Sequence, residues 1–334
     1  DGDRPGEHLA PAARGVLATL DAADLLDRPC HRPANVTFSA WGSERLLERH
    51  AMVHLEGPAT VLDRPRFEAD LAARALTSGA RVVPATVERV ERQGGIWHIT
   101  LAHGAVCRAQ FVIDASGRAA IVGRSQGTRF RADRLAALVG FLEQAPDAEV
   151  EPTRATLIEA TADGWWYATL LADGRLALNY YTDADLMPAA AGRLDALRHR
   201  LSHDTQYVGR WIAEADFRFV GPLRAASAGT TWIAPAAGDD WAAVGDAAAA
   251  FDPLSSHGMT TALWTGATAA RAAVAAVGGD GGALAAYAGE VGAGVQRFLA
   301  SQGDIYAREQ RFADQPFWQR RHARLAPEPE APQG

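Results

Sequence analysis

Residues 242–263 constrain the fold of this sequence more than any other stretch. They read AAVGDAAAAFDPLSSHGMTTAL: a short apolar run, a Gly245-Asp246 pair, a turn around Pro253 and an Ala-rich helix. Glycine permits a tight turn and a close approach of the backbone to a ligand. The exposed N–H groups and positive end of a helix N-terminus attract an anionic group, and the Asp246 carboxylate can accept hydrogen bonds from sugar or polyol hydroxyls. The pattern predicts a strand, turn and helix that hold a polar cofactor.

Composition excludes several classes of protein. The 334 residues are 48% apolar, which allows a sizeable core in one large or two interleaved domains. A net charge of −7 gives no basic face for nucleic acid. The longest apolar runs are too short for a membrane span, and no secretory leader is visible, so we expect a cytoplasmic protein. Cys30 and Cys107 are far apart, and no HxH, HExxH or CxxC spacing occurs; we predict buried thiols and no metal site.

The sequence contains no lysine, since all 33 basic residues are arginine. Mechanisms that need a lysine in this sequence, such as Schiff-base catalysis or a P-loop, are therefore excluded.

The stretch around Gly245 also carries a resemblance. Gly245-Asp246, followed by FDPLSS at 251–256 and Gly258, resembles the GD box of FAD-dependent monooxygenases with the para-hydroxybenzoate-hydroxylase fold. The FDPL-S-S-x-G wording is similar to that of flavin halogenases and their hydroxylating relatives. The resemblance implies that FAD is the cofactor and that Asp246 binds its ribityl chain. It also implies that the turn and helix start lie against the flavin ring, through Gly245, Pro253, Ser256, Gly258 and Met259.

Three further segments resemble the same superfamily. IDASGR at 113–118 is similar to its D-A-T-G box, which implies contacts from Asp114 and Gly117 on the adenine side of FAD. The L-D-R segment implies a contact from Arg64, and GEHLAP at 6–11 resembles G-E-S-L-x-P, which implies a contact from Glu7. The GxGxxG fingerprint of such proteins is not present. We therefore expect that the first βαβ unit is missing and that the sequence is a fragment.

Several segments narrow the resemblance to one branch. SAWGS at 39–43, LDRPRF at 62–67 and GWWY at 164–167 are similar to flavoprotein monooxygenases that mature tryptophylquinone enzymes. The resemblance implies that NAD(P)H reduces FAD and that oxygen is inserted into an aromatic substrate. That substrate is a small molecule or a tryptophan of a precursor protein. The pattern differs at His257, where we expect Gln, and at His8, where we expect Ser; both place a titratable group beside the flavin.

Two sets of candidate site residues follow. His257 is the candidate for proton transfer, because imidazole titrates near neutrality, but a histidine that caps or packs at a turn is an equally good reading. An aromatic pocket is expected from Trp41, Trp165, Trp166 and Tyr167, although aromatic residues in a strand more often belong to the core.

Three other functions stay open. The first is halogenation, although the family's directing lysine and its WxWxIP motif are both absent here. The second is lipid reduction, as in relatives of geranylgeranyl reductase. The third is a flavin-free scaffold that binds a peptide.

The predicted fold class is α/β. An FAD-binding domain of residues 1–36, 60–130 and 236–278 is interleaved with a substrate domain of residues 37–59 and 131–235. Short apolar runs separated by Asp-Gly turns predict that the substrate domain is an antiparallel sheet with one exposed face. Residues 279–325 are predicted to be C-terminal helices, and residues 326–334 a disordered tail.

Overall fold

The computed structural model of the protein describes residues 8–51, 57–323 and 328–330. Its helices are α1 (Ala13–Thr19), α2 (Arg64–Thr77), α3 (Gly123–Gln126), α4 (Arg193–Asp204), α5 (Val208–Glu214), α6 (Gly258–Val277), α7 (Ala283–Ala307) and α8 (Pro316–His322). Its strands are β1 (His8–Leu9), β2 (Arg32–Ala34), β3 (Val36–Ala40), β4 (Leu47–His50), β5 (Ala59–Val61), β6 (Val87–Gln93), β7 (Ile96–Leu101), β8 (Val106–Ala109), β9 (Val112–Asp114), β10 (Thr128–Arg131), β11 (Leu135–Gln144), β12 (Thr156–Thr161), β13 (Gly164–Leu170), β14 (Leu176–Asp183), β15 (Phe217–Ser227), β16 (Thr231–Ala234), β17 (Ala237–Gly238), β18 (Trp241–Ala243), β19 (Ala249–Ala250) and β20 (Glu328–Pro329).

A seven-stranded sheet forms the larger layer of the molecule. Its strand order is β15-β11-β14-β13-β12-β3-β4, and every pair is antiparallel except β12 with β3. The four consecutive strands from β11 to β14 contain the apolar runs that the sequence analysis assigned to the substrate domain. Their antiparallel pairing confirms the predicted sheet.

Both faces of this sheet are covered, which corrects the expectation of one exposed face. Every residue of β14 is buried. On one face Leu178 and Trp166 pack with Leu197 of α4 and Val208 of α5. On the other face Trp165 and Tyr181 pack with residues of α7 and α8. Helix α5 was not predicted from the sequence; the amides at 206–208, at its N-terminus, donate to the buried carboxylate of Glu159 in β12.

The smaller layer of the molecule is built around helix α6. Its Ala-rich sequence favours a helix and allows close packing; Ala269 and Ala272 are buried against β18 and Tyr287 of α7. Near its start, Met259 and Leu263 pack on a cluster built from β1, α1 and α2. Helix α2 begins after Asp63, whose carboxylate accepts a 3.1 Å hydrogen bond from the Arg66 amide.

The two cysteines differ from the expectation of buried thiols. Cys30 is only partly buried, and Cys107 is exposed. Cys107 lies in β8, an edge strand of the three-stranded sheet β6-β7-β8, and most of the residues of β8 are exposed. The apolar character of cysteine therefore did not decide its position here.

The residues near the end of the chain differ from the predicted disordered tail at one point. Strand β20 pairs antiparallel with β10. Glu330 forms ion pairs with Arg129 and Arg131, and the Arg129 Nε–Glu330 Oε2 distance is 3.2 Å. These pairs offset the cost of ordering a segment that contains few apolar residues. In the described parts of the chain, no helix combines the length and hydropathy needed to cross a membrane.

Candidate flavin site

Two strand ends meet where the sequence analysis placed the cofactor. Strands β9 and β18 are parallel, with Ala243 opposite Asp114, and the Val244 amide donates a 2.9 Å hydrogen bond to the Asp114 carbonyl. The carboxyl ends of parallel strands lie at the same edge of a sheet, and ligands bind outside that edge in α/β folds. The structure therefore brings Gly117 and Asp246 to one edge, although they are far apart in the sequence.

The Asp114 carboxylate organises the loop after β9. It accepts hydrogen bonds from the Ser116 amide at 3.0 Å, the Val122 amide at 2.8 Å and the Gly123 amide at 2.9 Å, as well as from the Ser116 hydroxyl. The side chain is buried. Asp114 therefore holds the backbone around Gly117 in place, and its contact with FAD stays a prediction.

Gly245 makes the turn that presents Asp246. Its φ is +55°, and an added Cβ would lie 3.3 Å from Cβ of Ala262 in α6. Its amide donates a 2.8 Å hydrogen bond to Oγ1 of the buried Thr265. A glycine is required because the turn combines a left-handed backbone with close contact to α6.

Arg118, the last residue of the IDASGR segment, lies in space beside Asp246 of the GD box. It was not predicted to be a site residue. Its Nε is 3.7 Å from Oδ2 of Asp246, whose side chain is 45% exposed. Its Nη1 donates a 2.6 Å hydrogen bond to the Gly229 carbonyl. Burial lowers the pKa of Arg118 below its usual value, and the nearby carboxylates of Asp246 and Asp133 offset this effect only in part. The Arg118 guanidinium therefore lies beside the Asp246 carboxylate, which stays accessible to a ligand. The only signal in the sequence was the arginine that ends D-A-S-G-R.

The start of α6 leaves space and hydrogen-bonding groups for a planar anionic ring. His257 is the N-cap residue of α6, and no side-chain cap is formed. A Cβ added at Gly258 or at Gly117 would meet no atom within 4 Å in the described part of the chain. Oγ1 of Thr260 is buried without a hydrogen-bond partner among the described residues. Open glycine positions, an exposed carboxylate, an orphaned hydroxyl and an uncapped helix N-terminus fit FAD.

A cavity of about 670 Å³ adjoins the turn before α6. Its aromatic side chains are Phe251, Trp264 and Phe298, and the rings of Phe251 and Phe298 lie 4.3 Å apart. His257 also lines it, so this imidazole faces the cavity and does not cap the helix. The volume lies within the range of roughly 300–1,000 Å³ that is typical of ligand pockets. From the sequence, Phe251 was identified only as part of the FDPLSS motif, and Trp264 and Phe298 were not identified.

The aromatic residues that the sequence analysis selected lie elsewhere. Trp165 and Trp166 are wholly buried on opposite faces of the seven-stranded sheet, and neither lines this cavity. Trp41 packs 5.3 Å from the Trp318 ring and donates a hydrogen bond to the Ile305 carbonyl. Tyr167 is partly buried on the Trp165 face. The expectation of one pocket lined by all four is wrong, because successive strand residues point to opposite faces and both faces are covered.

Asp252 is a buried acid in the same turn. Its Oδ2 accepts hydrogen bonds from Tyr306 at 2.7 Å and from Gln302 at 2.9 Å, and its Oδ1 accepts one from the Leu254 amide at 2.9 Å. Burial and the nearby Asp133 raise the pKa of Asp252 to about 6, against the effect of these donors. From the sequence, Asp252 was identified only as part of the FDPLSS motif.

The remaining expected cofactor residues occupy different surroundings. Arg64 is the first residue of α2, where its Nε lies 2.7 Å from Oε1 of Glu68. It lines a second cavity of about 280 Å³ together with Cys30 and Arg175. Its contact with FAD stays a prediction. Met259 packs in the cluster with Leu9.

Pro253 begins a 3-10 turn, and Ser256 follows it with a φ of +53°. The predicted contact from Glu7 lies outside the described residues. His8 is partly buried, with Nε2 2.8 Å from Oγ1 of Thr156. Burial, together with the nearby Arg32, lowers the pKa of His8 to about 4. His8 is therefore neutral near neutral pH.

No group of three or more possible metal ligands occurs in the described segments.

Comparison with known proteins gives the family. Residues 43–333 match the family described as tryptophan halogenase. The chain belongs to the tryptophan halogenase family. One relative of this family member is LodB of Marinomonas mediterranea, which bears the provisional name of an FAD-dependent oxidoreductase. It is 28% identical over 332 residues, which cover 96% of this chain and 87% of LodB.

Two solved structures are similar to this family member. The peptidyl tryptophan dihydroxylase QhpG, described as essential for tryptophylquinone cofactor biogenesis, is 27% identical with a TM-score of 0.76; the match covers 94% of this chain and 69% of QhpG. The myxobacterial chondrochloren halogenase CndH has a TM-score of 0.85 at 22% identity, over 96% of this chain and 77% of CndH. The likeness to CndH shows the fold.

These findings confirm the predicted fold class and superfamily. The protein is an FAD-dependent, halogenase-like oxidoreductase with a mixed α/β fold. The site residues within it stay predictions, which the following proposals develop.

Proposed function

We propose that the protein is an FAD-dependent monooxygenase that hydroxylates a tryptophan side chain of a partner protein, with NAD(P)H as the reductant. The observation that carries this proposal is the aromatic-lined cavity beside the turn that follows Asp246. A flat indole packs favourably against aromatic side chains such as Phe251, Trp264 and Phe298. The relationship to a peptidyl tryptophan dihydroxylase at 27% identity supports a tryptophan in a polypeptide as the substrate. By the same argument, the product is a precursor of a tryptophylquinone cofactor.

The residues at the strand edge would hold FAD. When bound, FAD supplies the two electrons and the activation of oxygen that hydroxylation needs. The Asp246 carboxylate, beside Arg118, would accept hydrogen bonds from the ribityl hydroxyls. The uncapped start of α6 would offer backbone N–H groups and the positive end of the helix dipole to the pyrimidine end of the ring.

The residues of the cavity act on the substrate side. Phe251, Trp264 and Phe298 exclude water from the ring that is to be hydroxylated. His257 lies on both the helix start and the cavity, where its imidazole can move a proton between the substrate and solvent. Halogenation is less compatible with these residues, because the lysine that the family resemblance requires is absent from the sequence.

One substitution tests the cofactor site. Asp246→Ala should weaken FAD binding at least about tenfold, which corresponds to about 1.4 kcal/mol. Flavin fluorescence titration measures this affinity. Asp239→Ala is the matched control, because Asp239 is an exposed aspartate just before the same strand β18. Equal affinity in wild type and Asp246→Ala would remove Asp246 from the site.

A product assay tests the reaction. FAD-loaded protein is supplied with NADH or NADPH, labelled molecular oxygen and tryptophan-containing polypeptides, in the presence and absence of chloride and bromide. We expect labelled oxygen on the tryptophan side chain, and a coupled increase in NAD(P)H oxidation. A halogenated product, or peroxide as the only product with every substrate, would contradict the proposal.

A second substitution tests the role of His257. His257→Gln should lower turnover and change the pH profile of turnover, while FAD affinity changes little. Thr261→Ser is the control, because Thr261 lines the same cavity without a titratable group. An unchanged pH profile in His257→Gln would show that the imidazole moves no proton in the reaction.

A further inference from the structure

One edge of the seven-stranded sheet is open beside the cavity. Strand β4 is the last strand of the sheet, and within the described residues it pairs only with β3. The opposite edge strand, β15, contains Pro222, which cannot donate a backbone hydrogen bond. Residues 47–50 contain no proline. An edge strand with free N–H and C=O groups is a template for a further strand.

The register shows which backbone groups face outward. The Ala51 amide donates a 2.8 Å hydrogen bond to the Asn35 carbonyl, and Arg49 is opposite Thr37 in the same antiparallel ladder. In such a ladder alternate residues direct both backbone groups to the partner strand. Residues 47, 49 and 51 therefore face β3, and the backbone groups of Glu48 and His50 face the open edge.

The same register directs Arg49 to the cavity. Glu48 is opposite Phe38, which packs on the sheet face covered by α4 and α5. Because strand side chains alternate, Arg49 lies on the other face, where it lines the cavity with Trp264 and Phe298. A strand added outside β4 would direct every second side chain to the cavity face.

Charge indicates the chemistry of the occupant. Arg49 and Arg297 both line the cavity, and both side chains are exposed. Neither forms an ion pair with another described residue. The same lining contains one exposed carboxylate, Glu290, and the buried Asp252, so its exposed side chains carry an excess of positive charge that favours an acidic partner.

We propose that β4 binds an extended, acidic segment of the partner protein by β-strand addition and thereby places a tryptophan of that segment in the cavity. The proposal rests on the proposed function, to which it adds the binding mode and the character of the substrate. Backbone pairing with Glu48 and His50 sets the register, and Arg49 and Arg297 recognise carboxylates on either side of the tryptophan.

The probe is a short, blocked and dye-labelled peptide with alternating positions. A central tryptophan and aspartates two residues to each side share one face, and threonines occupy the positions between. A second peptide has asparagine in place of aspartate. Fluorescence anisotropy with the FAD-loaded protein measures both affinities. We expect saturable binding that is at least about tenfold tighter for the aspartate peptide. Arg49→Gln should weaken binding of this peptide and leave binding of the asparagine peptide nearly unchanged.

A matched pair of variants tests strand addition. Glu48→Pro removes an outward N–H without removing a hydrogen bond to β3, and should weaken binding at least about tenfold. Glu48→Ala removes the side chain but keeps the N–H, and should bind like wild type. If Glu48→Pro does not fold, peptides that are N-methylated at alternate amides replace it. Methylation of the amides that face β4 should abolish binding to wild type, and methylation of the others should not.

Several results would overturn the proposal. They are the absence of saturable binding by both peptides, equal binding by Glu48→Pro and wild type, and a dimer of this chain that Glu48→Pro dissociates. The last result would identify a second copy as the occupant. Hydroxylation of a partner tryptophan at an unchanged rate in Glu48→Pro would contradict the docking and leave the function intact. If Glu48→Pro no longer binds the peptide and the wild type hydroxylates no tryptophan, the proposed function is contradicted but the docking is not.

Discussion

The hydroxyl of Tyr306 donates a 2.7 Å hydrogen bond to Asp252, and it accepts one of 3.1 Å from Nε1 of Trp165. The bonds join the end of α7, the turn before α6 and the centre of the seven-stranded sheet. Burial and the adjacent Asp252 raise the pKa of Tyr306 well above its usual value. The phenol therefore remains protonated and acts as a donor to the buried carboxylate. This relationship fixes the turn at the candidate flavin site relative to the sheet.

Loss of the Tyr306 hydroxyl should destabilise the fold. Tyr306→Phe leaves the Asp252 carboxylate with one donor fewer and leaves the Trp165 N–H without an acceptor. A buried hydrogen bond to a charged group contributes about 1.5–3 kcal/mol, so we expect a loss of about that size in the free energy of unfolding. Urea denaturation measures it. Tyr287→Phe is the control, because its buried hydroxyl donates to a neutral acceptor, the Ala243 carbonyl, and the loss should be smaller. A larger loss in Tyr287→Phe would contradict the assignment.

The partly buried His8 should make stability depend on pH. Its pKa is lowered from 6.5 to about 4 in the folded protein, so the unfolded chain binds the proton more readily. The contribution of neutral His8 is complete above pH 6.5 and is lost as the pH falls towards about 4. The full difference amounts to about 3 kcal/mol. We expect the free energy of unfolding of wild type to fall more steeply over this interval than that of His8→Gln.

The titration of Asp252 changes the free energy of unfolding in the opposite direction to that of His8, within the same pH interval. Its pKa is raised to about 6, so the folded state binds the proton more readily and acid favours folding through this group. Asp252 is present in both wild type and His8→Gln, and its effect cancels in their difference. Equal slopes in the two proteins, measured by urea denaturation from pH 4 to 7, would contradict the pKa assigned to His8.

The GD box and the sheet were predictable because their signals are local. Gly245 and Asp246 follow an apolar strand and precede an Ala-rich helix, and the structure places β18 and α6 there. The apolar runs of β11 to β14 are each bounded by turn residues. Local patterns of this kind report the backbone conformation directly.

The faces of the sheet were not predictable from the same patterns. Alternation of apolar and polar residues identifies a buried face only when the other face is in water. Trp165 and Trp166 are both wholly buried, so nothing in GWWY distinguishes the face near the cavity from the face below α4. The partners of Arg118 and Asp252 were equally hidden. Asp246 and Tyr306 lie far from them in the sequence, and only the fold brings these side chains together.

Arg118 should control how firmly FAD is held. Arg118→Met keeps the length of the side chain and removes the charge beside Asp246 and the donor to the Gly229 carbonyl. We expect FAD affinity to fall about threefold to tenfold, because the Asp246 carboxylate is no longer oriented, and a loss of about 1–3 kcal/mol in stability. Flavin fluorescence titration and urea denaturation measure the two effects. Arg14→Met is the control, since the ion pair of Arg14 with Asp27 is exposed. Unchanged FAD affinity in Arg118→Met would exclude a positioning role.

The turn at Gly245 should not tolerate a side chain. Gly245→Ala forces a Cβ into a backbone with a φ of +55°, at 3.3 Å from Cβ of Ala262. Strain of this kind costs about 1–3 kcal/mol, and the displaced turn should also weaken FAD binding. Gly15→Ala is the matched control, because Gly15 lies in α1, where an added Cβ meets no described atom within 4 Å. That change should stabilise the protein by about 0.5–1 kcal/mol. Thermal unfolding of the two variants should therefore shift in opposite directions, and a Gly245→Ala protein as stable as wild type would show that the turn does not depend on glycine.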